Sequence, residues 1–318
     1  MSSSRRSDGR SDTSIRELQI QLGRLDRADG SARFGFGATA ALASFSGPIE
    51  VRPREEQPTR ATFEITHRPL EGVAATPSRA LITTLEAVLA PLVRTDQYPR
   101  SLLQLVVQSL SPSPQAPLST SYSATSTSSS STSHTWPPPD TSSEDEDDDG
   151  YIVQETDSAP MGGTTFASRA AAINASTLAL LDAGSISMRG VPVAVSLALV
   201  PLPPKQVISA VNGDGSGGGG DGDGRIVVDP SLEEESRSRA RFGFGWAFGE
   251  GLAGARQDAS DEMDVDEQSS EELVWSEAEG KFNKSEYEQA LALSKAASRH
   301  ILGEIRQTLT EHFASTTI

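Results

Sequence analysis

Three acidic, low-complexity tracts divide this chain and limit what it can fold into. Residues 111–157 are rich in Ser and Pro and hold nine acids with no Lys or Arg. Residues 212–224 are mostly Gly with three Asp, and residues 256–273 hold eight acids and one Arg. Segments with so little apolar surface cannot offset the entropy that they would lose on ordering. We therefore expect each tract to be a disordered insertion in a folded domain.

The sequence outside these tracts is close to electrically neutral, although the whole chain of 318 residues carries a formal charge of −17. Residues 1–110 and 158–318, without the two later tracts, are enough for one domain. The absence of Cys excludes disulfides, thiolate metal sites and Cys nucleophiles. The N-terminus is polar and no apolar run reaches about 18 residues, so we expect a soluble intracellular protein that does not contact membranes.

The apolar pattern predicts a mixed α+β domain with helices packed on sheets. Short apolar segments between residues 15 and 67 predict an antiparallel meander. A helix capped by Thr76 is expected next, and a second helix, apolar nearly all round and therefore buried, is expected between Thr164 and Gly184. Further strands are predicted at residues 101–110, 191–200, 205–211, 225–229 and 239–248, and a last amphipathic helix at residues 285–313.

Several sequence blocks follow one another in the order found in a known family. They are residues 8–10 (DGR), 15–16 (IR), 28–32 (ADGSA), 37–39 (GAT), 47–51 (GPIEV), 98–100 (YPR) and 173–184 (INASTLALLDAG). The likeness covers residues 8–110, 158–211 and 225–313 and is interrupted by the three tracts. The chain resembles the RNase PH family and, within it, the ring subunits of the eukaryotic RNA exosome.

This resemblance implies a fold, a set of partners and a chemistry. The fold would be RNase PH-like, which is the ribosomal protein S5 domain 2-like fold. The partners would be the other RNase PH-like exosome subunits of a six-membered ring, the cap subunits and RNA, in the nucleus, nucleolus and cytoplasm. Active members are phosphorolytic 3′–5′ exoribonucleases, in which arginines hold the attacking phosphate and two acids bind a divalent ion.

The chain departs from that active site at Met161, which replaces an acid ahead of the phosphate motif, and at two further positions. Thr165 stands where the family's phosphate motif has Arg, and a hydroxyl group cannot replace a guanidinium. Glu235 aligns with the first metal-binding acid, but Arg241 stands at the second and reverses its charge. We therefore expect a non-catalytic subunit that uses no metal and no other cofactor.

Some features that would bind RNA remain. The amides of Gly163 and Thr164, at the start of the second predicted helix, would attract an anion. Arg52 and Arg54 follow the GPIEV block, where the family places arginines that face the central channel of the ring. Arg79 is a candidate for a second phosphate-site arginine. Each of these three arginines can equally be a solvated surface residue; as flexible cations they would contact phosphates without reading sequence.

Three other functions stay open on the sequence alone. The first is an active phosphorolytic exoribonuclease, which would need Arg at position 165 and an acid at position 241. The second is a metal-dependent nuclease that uses Glu235. The third is a scaffold whose acidic tracts matter more than its folded body.

The four His show no metal-ligand spacing, and the Gly-rich tract lacks the Lys and Ser/Thr of a phosphate-binding loop. The two RFGFG segments, residues 33–37 and 241–245, are expected to pack within sheets.

Overall fold

Two sheets enclose one buried helix, as the α+β prediction requires. The computed structural model describes residues 6, 8–111, 164–201, 224–249 and 271–316. Most of each predicted insertion lies outside these residues, and so does the strand predicted at 205–211.

The first sheet has five strands in the order β1-β2-β3-β5-β4. Strands β1 to β3 pair antiparallel, as predicted. The fourth strand does not continue this meander, because it lies at the far edge and pairs parallel with β5. A parallel pair needs a crossover connection, and the helix α1 between β4 and β5 provides it. The bounds are β1 Leu18–Leu22, β2 Gly30–Phe36, β3 Thr39–Glu50, β4 Thr62–Arg68, α1 Thr76–Leu89 and β5 Ser101–Ser109.

The second sheet has four antiparallel strands in the order β7-β6-β8-β9. Its edge strand β9 was not predicted, and its first three residues fall in the range assigned to the last acidic insertion. They are ordered because β9 pairs along β8 and buries Trp275; acids along an edge strand also discourage pairing with other chains. Likewise Gly224, assigned to the Gly-rich insertion, begins β7. The bounds are β6 Val191–Pro201, β7 Gly224–Val228, β8 Ala240–Phe248 and β9 Glu271–Gly280.

Three helices complete the described part of the chain after β5: α2 Phe166–Ala183, α3 Leu232–Ser236 and α4 Lys284–Thr316. Helix α2 is buried between the sheets and ends at Gly184, whose positive φ of 60° suits glycine. The prediction that Thr76 caps α1 is wrong: Thr76 is already helical and follows Ala75, which makes no side-chain cap. Pro77 lies in the first turn, where the backbone N–H that proline lacks would have no partner within the helix. The helix can therefore begin at Thr76, one residue earlier than expected. None of the helices described is long and apolar enough to cross a membrane.

Both RFGFG segments lie in strands, as predicted. Phe34 and Phe36 in β2 and Phe242 and Phe244 in β8 are fully buried. The sheet β7-β6-β8-β9 uses both faces, because Phe242 packs against Tyr287 of α4 whereas a side chain at Gly243 would meet Phe166 of α2.

Asn174 ties α2 to the second sheet. Its side chain is fully buried, donates to the Ala194 carbonyl at 2.9 Å and accepts from the Ala194 amide at 2.7 Å. Strand β7 pairs with β6 only from Leu197 onward. The Asn174 amide therefore supplies the hydrogen-bond partner that Ala194 lacks on that side of its strand.

We expect Asn174→Ala to lower the free energy of unfolding by about 2 kcal/mol, because it leaves a buried N–H and a buried C=O unpaired. Chemical denaturation followed by circular dichroism measures this loss. Gln307→Ala, which removes an exposed amide on α4, serves as the control and should change little. A loss for Asn174→Ala no larger than that of the control would contradict the assigned role.

Candidate functional site

Glu235 lies against the start of α2. Helix α3 begins with a capping box, in which the Ser231 hydroxyl accepts from the Glu234 amide and the Glu234 carboxylate accepts from the Ser231 amide. The next residue, Glu235, is 3% exposed, and its Oε1 accepts a hydrogen bond from the Phe166 amide at 3.2 Å. An amide at the N-terminus of α2 is thus bonded to a carboxylate of the protein itself.

Thr165 is the N-cap of α2. Its Oγ1 accepts from the Ser168 amide at 3.0 Å, and the residue is 6% exposed. The anion-binding amides predicted at this helix start are therefore partly engaged by internal groups, while Gly163 lies outside the described residues. Thr165 and Glu235, matched from the sequence, do come together in space at the first turn of α2.

Arg241 shares the charge environment of Glu235. It is half-buried in β8, on the face that points toward α2, and lies opposite Glu279 of β9. Burial raises the pKa of Glu235 to about 7, although the Phe166 amide and the charges of Arg241 and Arg16 act in the opposite direction and Glu279 adds to the rise. The position that the resemblance gives to a second metal-binding acid therefore holds a cation, which lies opposite Glu279 in the sheet and whose charge acts on Glu235.

Arg169 is a second cation at this site, and the sequence reasoning missed it. Its Nε donates to Thr164 Oγ1 at 3.1 Å, its guanidinium lies 5.3 Å from the centroid of the Phe166 ring, and it forms an ion pair with Glu277 of β9. Helical side chains lean toward the N-terminus, so an arginine one turn into α2 can reach back to the helix start. That geometry was the available signal.

Aromatic rings fill the space beside these charges. The Trp275 and Phe166 rings have centroids 6.3 Å apart. A Cβ on Gly243 would lie 2.4 Å from Trp275 and 2.8 Å from Phe166, so the absence of a side chain in β8 allows both rings to pack there. The rings hold the first turn of α2 against the β8–β9 pair.

The N-terminal segment fixes the residues that lead into α3. The Arg6 side chain is fully buried and donates to both carboxylate oxygens of Glu234, at 2.9 and 2.6 Å, and to the carbonyls of Val228 and Asp229, both at 2.9 Å. Arg16 forms a second bridge, because its guanidinium donates twice to the Asp229 carboxylate. Glu235 is therefore positioned by contacts that begin near residue 6.

The three arginines predicted to contact RNA lie apart from these contacts. Arg52 and Arg54 are exposed in the loop between β3 and β4, and Arg79 is exposed in the first turn of α1. Within the described ranges none of their side chains makes a hydrogen bond or ion pair.

Helix α1 reaches β9 through Thr84, whose hydroxyl donates to Glu277 at 3.2 Å.

Solved structures with a similar fold include two exosome proteins. Rice Rrp46 matches with a TM-score of 0.60 and 19% identity, covering 96% of this chain and all of the rice chain. An Archaeoglobus fulgidus exosome, solved with RNA bound to its active site, matches with a TM-score of 0.54 and 14% identity over 95% of this chain and 92% of its own. Identities this low establish the fold alone.

Curated relatives match parts of the chain at higher identity. The exosome complex component RRP46 of Saccharomyces cerevisiae is 43% identical over 93 residues, which are 29% of this chain and 42% of the yeast protein. The exosome complex component Rrp41 of Pyrobaculum calidifontis is 37% identical over 115 residues, which are 33% of this chain and 47% of the relative. The chain thus spans less than half the length of the curated relatives it matches.

A family model decides the classification. The model of the 3′ exoribonuclease family, domain 1, named RNase PH, matches residues 14–185. This range is more than half of the chain; it includes Thr165 and Arg169 and ends before Glu235 and Arg241. The agreement between this match, the predicted fold and the observed one leads to one conclusion: the chain belongs to the RNase PH family.

Proposed function

We propose that this chain is a non-catalytic ring subunit of a eukaryotic RNA exosome, which supports 3′–5′ RNA processing and degradation, including ribosomal RNA maturation. Its partners would be the other RNase PH-like subunits of a six-membered ring, the cap subunits and RNA. It would act in the nucleus, nucleolus and cytoplasm.

The observation that carries the non-catalytic part is the positive charge of Arg241 in the electrostatic environment of Glu235. A divalent ion at a phosphoryl-transfer site neutralises developing charge and needs anionic ligands. Here the Arg241 cation shares the environment of Glu235, and the Glu235 carboxyl group is buried and bonded to the Phe166 amide. A metal ion would have to displace that bond and lie beside a fixed positive charge.

The exosome part of the proposal is supported by the names of relatives. Both the yeast and the fission yeast relatives are exosome complex components of the Rrp46 type, and the fission yeast protein is 32% identical over 88 residues. The rice structure with the same fold is also an Rrp46. Arg52, Arg54 and Arg79 are exposed cations that would contact RNA phosphates in such an assembly.

One observation favours the alternative, an active phosphorolytic exoribonuclease. Arg169 places a guanidinium at the start of α2, where Thr165 supplies none. The Glu277 carboxylate neutralises this arginine, so a phosphate ion would have to compete with an internal ion pair. We therefore retain the non-catalytic proposal, and the two alternatives differ in whether the chain degrades RNA in the presence of phosphate.

Purification of the tagged chain from cells that express it natively tests the assembly. We expect mass spectrometry to find the other RNase PH-like chains in amounts equal to the tagged one, together with cap subunits. An untagged strain controls for background binding. Recovery of this chain alone, or as a homo-oligomer, would overturn the assignment to a mixed ring.

A further inference from the structure

A cleft opens where β9 ends and α4 begins. It has a volume of about 370 Å³ and is lined by Arg239, Gly280, Lys281, Phe282 and Asn283. The cleft lies toward the α4 face of the second sheet, since Phe282 contacts Phe242, whereas Glu277 and Trp275 of β9 contact α2 on the other face. It is therefore separate from the site formed by Thr165, Glu235 and Arg241.

Phe282 presents an aromatic ring to this cleft. Its centroid lies 5.1 Å from that of Phe242, edge to face, and 6.1 Å from that of Tyr287, with an interplanar angle of 27°. Packing of the residue before a helix cap against the first turn is a known stabilising contact, and it accounts for where Phe282 lies. It leaves the residue 39% exposed, so part of the ring remains available to a ligand.

Two lysines flank the ring in the sequence Lys281-Phe282-Asn283-Lys284. They are two of only four lysines in a chain with a formal charge of −17. Lys281 is exposed and makes no ion pair within the residues that the structure describes, and the Lys284 side chain is 90% exposed, with Glu288 at 3.7 Å. Arg239 is held by Glu286, so the lysines are the cations able to meet a ligand.

We propose that this cleft binds one nucleotide of single-stranded RNA, with the base stacked on Phe282 and the neighbouring phosphates bound by Lys281 and Lys284. Every base has a π-face, so stacking on one ring tolerates any sequence. Lysine ammonium groups neutralise the backbone on either side. The choice of RNA rests on the proposed function. The site itself goes beyond that function, because it uses neither the channel arginines, Arg52 and Arg54, nor the site formed by Thr165, Glu235 and Arg241.

The test measures binding of a fluorescein-labelled single-stranded RNA oligonucleotide to the full chain by anisotropy at low salt. We expect Phe282→Leu to weaken binding about tenfold, because a branched aliphatic side chain fills the same space against Tyr287 without offering a stacking face. Phe282→Tyr should keep the affinity of the unaltered chain. The double variant Lys281→Gln, Lys284→Gln should show a weaker salt dependence. The negative slope of the logarithm of the binding constant against the logarithm of the salt concentration should become smaller in magnitude by about 1.4, because each phosphate of a single strand that a lysine neutralises contributes about 0.7.

Phe313→Leu is the matched control, since Phe313 is another exposed aromatic residue of the α4 region, 47% exposed and distant in sequence from the cleft. It should leave binding unchanged. A duplex of the same sequence should not respond to Phe282→Leu, because its bases are already stacked. Equal affinities for Phe282→Leu and the unaltered chain, or an equal loss with Phe313→Leu, would overturn the proposal, as would the absence of any binding by the unaltered chain.

Failure of this site and failure of the proposed function can be told apart. Arg52→Gln with Arg54→Gln tests the channel arginines in the same assay, and co-purification of the ring subunits is read out independently. A loss with the arginine pair but not with Phe282→Leu rejects the cleft and leaves the proposed function standing. Thermal unfolding of Phe282→Leu within a few degrees of the unaltered chain shows that a change in affinity reports the ligand contact.

Discussion

Arg6→Ala is expected to lower the free energy of unfolding by about 4 kcal/mol, a larger loss than that expected for Asn174→Ala. The Arg6 side chain is fully buried and bonds to Glu234 and to the carbonyls of Val228 and Asp229. Its removal leaves the Glu234 carboxylate without its ion-pair partner and the Val228 carbonyl without the Arg6 donor, while the Asp229 carbonyl keeps only the longer bond from Arg10 at 3.3 Å. Removing one partner of a buried ion pair destabilises a protein strongly, because the other charge stays buried and unpaired. The intact pair, by contrast, adds little stability compared with apolar residues in the same place.

Urea denaturation at neutral pH measures this loss. The control is Arg237→Ala, because Arg237 pairs with the neighbouring Glu233 but is 73% exposed; an exposed pair of this kind contributes less than about 1 kcal/mol. A similarly small effect of both substitutions would show that the N-terminal segment does not hold α3 in place. Hydrogen exchange should also increase in α3 in the Arg6→Ala variant, since that helix loses its anchor.

Glu235→Gln is expected to stabilise the chain at alkaline pH and to have little effect at acid pH. Burial raises the pKa of Glu235 to about 7 from the ordinary value of 4.5. The folded state therefore holds its proton more tightly, and the free energy of unfolding falls as the pH rises from about 4.5 to about 7. Glutamine stays neutral, so the variant avoids this loss, which amounts to about 3 kcal/mol above pH 7.

Denaturation curves recorded across the pH range measure the difference between the two chains. Glu288→Gln on α4, where the carboxylate is 63% exposed, controls for a general effect of removing one negative charge. A constant difference between Glu235→Gln and the unaltered chain at every pH would contradict the raised pKa. A stability advantage that grows as the pH falls would contradict the sign of the effect.

Most helices and strands could be predicted from the sequence because each has a strong local pattern of apolar residues. The small apolar residues from Phe166 to Ala183 run nearly all round a helix, and the residues of β6 form an apolar run that only Ser196 interrupts. What failed depended on tertiary pairing. The parallel placement of β4 is set by the crossover through α1, and β9 is ordered by pairing with β8 although it begins with acids.

The candidate site divides in the same way. The sequence alone indicated the motif that ends at Thr165 and the spacing between Glu235 and Arg241. The structure brings Thr165 and Glu235 together, because Glu235 is bonded to the amide of Phe166, the residue after Thr165. Arg169 and Glu277 were missed because they are 108 residues apart in the chain and meet only when α2 packs on β9. The bond from Phe166 to Glu235 could not be predicted either, since it depends on how α3 meets α2.

The central claim, that this family member does not catalyse phosphorolysis, is tested most directly by an activity assay. The full chain, alone and within the assembly with which it co-purifies, is incubated with single-stranded RNA, Mg²⁺ and inorganic phosphate, and nucleoside diphosphates are measured. Position 241 has no carboxylate, and Glu235 is bonded to the Phe166 amide. We therefore expect no phosphate-dependent release of nucleoside diphosphates from this chain alone. Any release by the whole assembly should be the same with Glu235→Gln as with the unaltered chain. Phosphate-dependent release that Glu235→Gln abolishes would contradict the account.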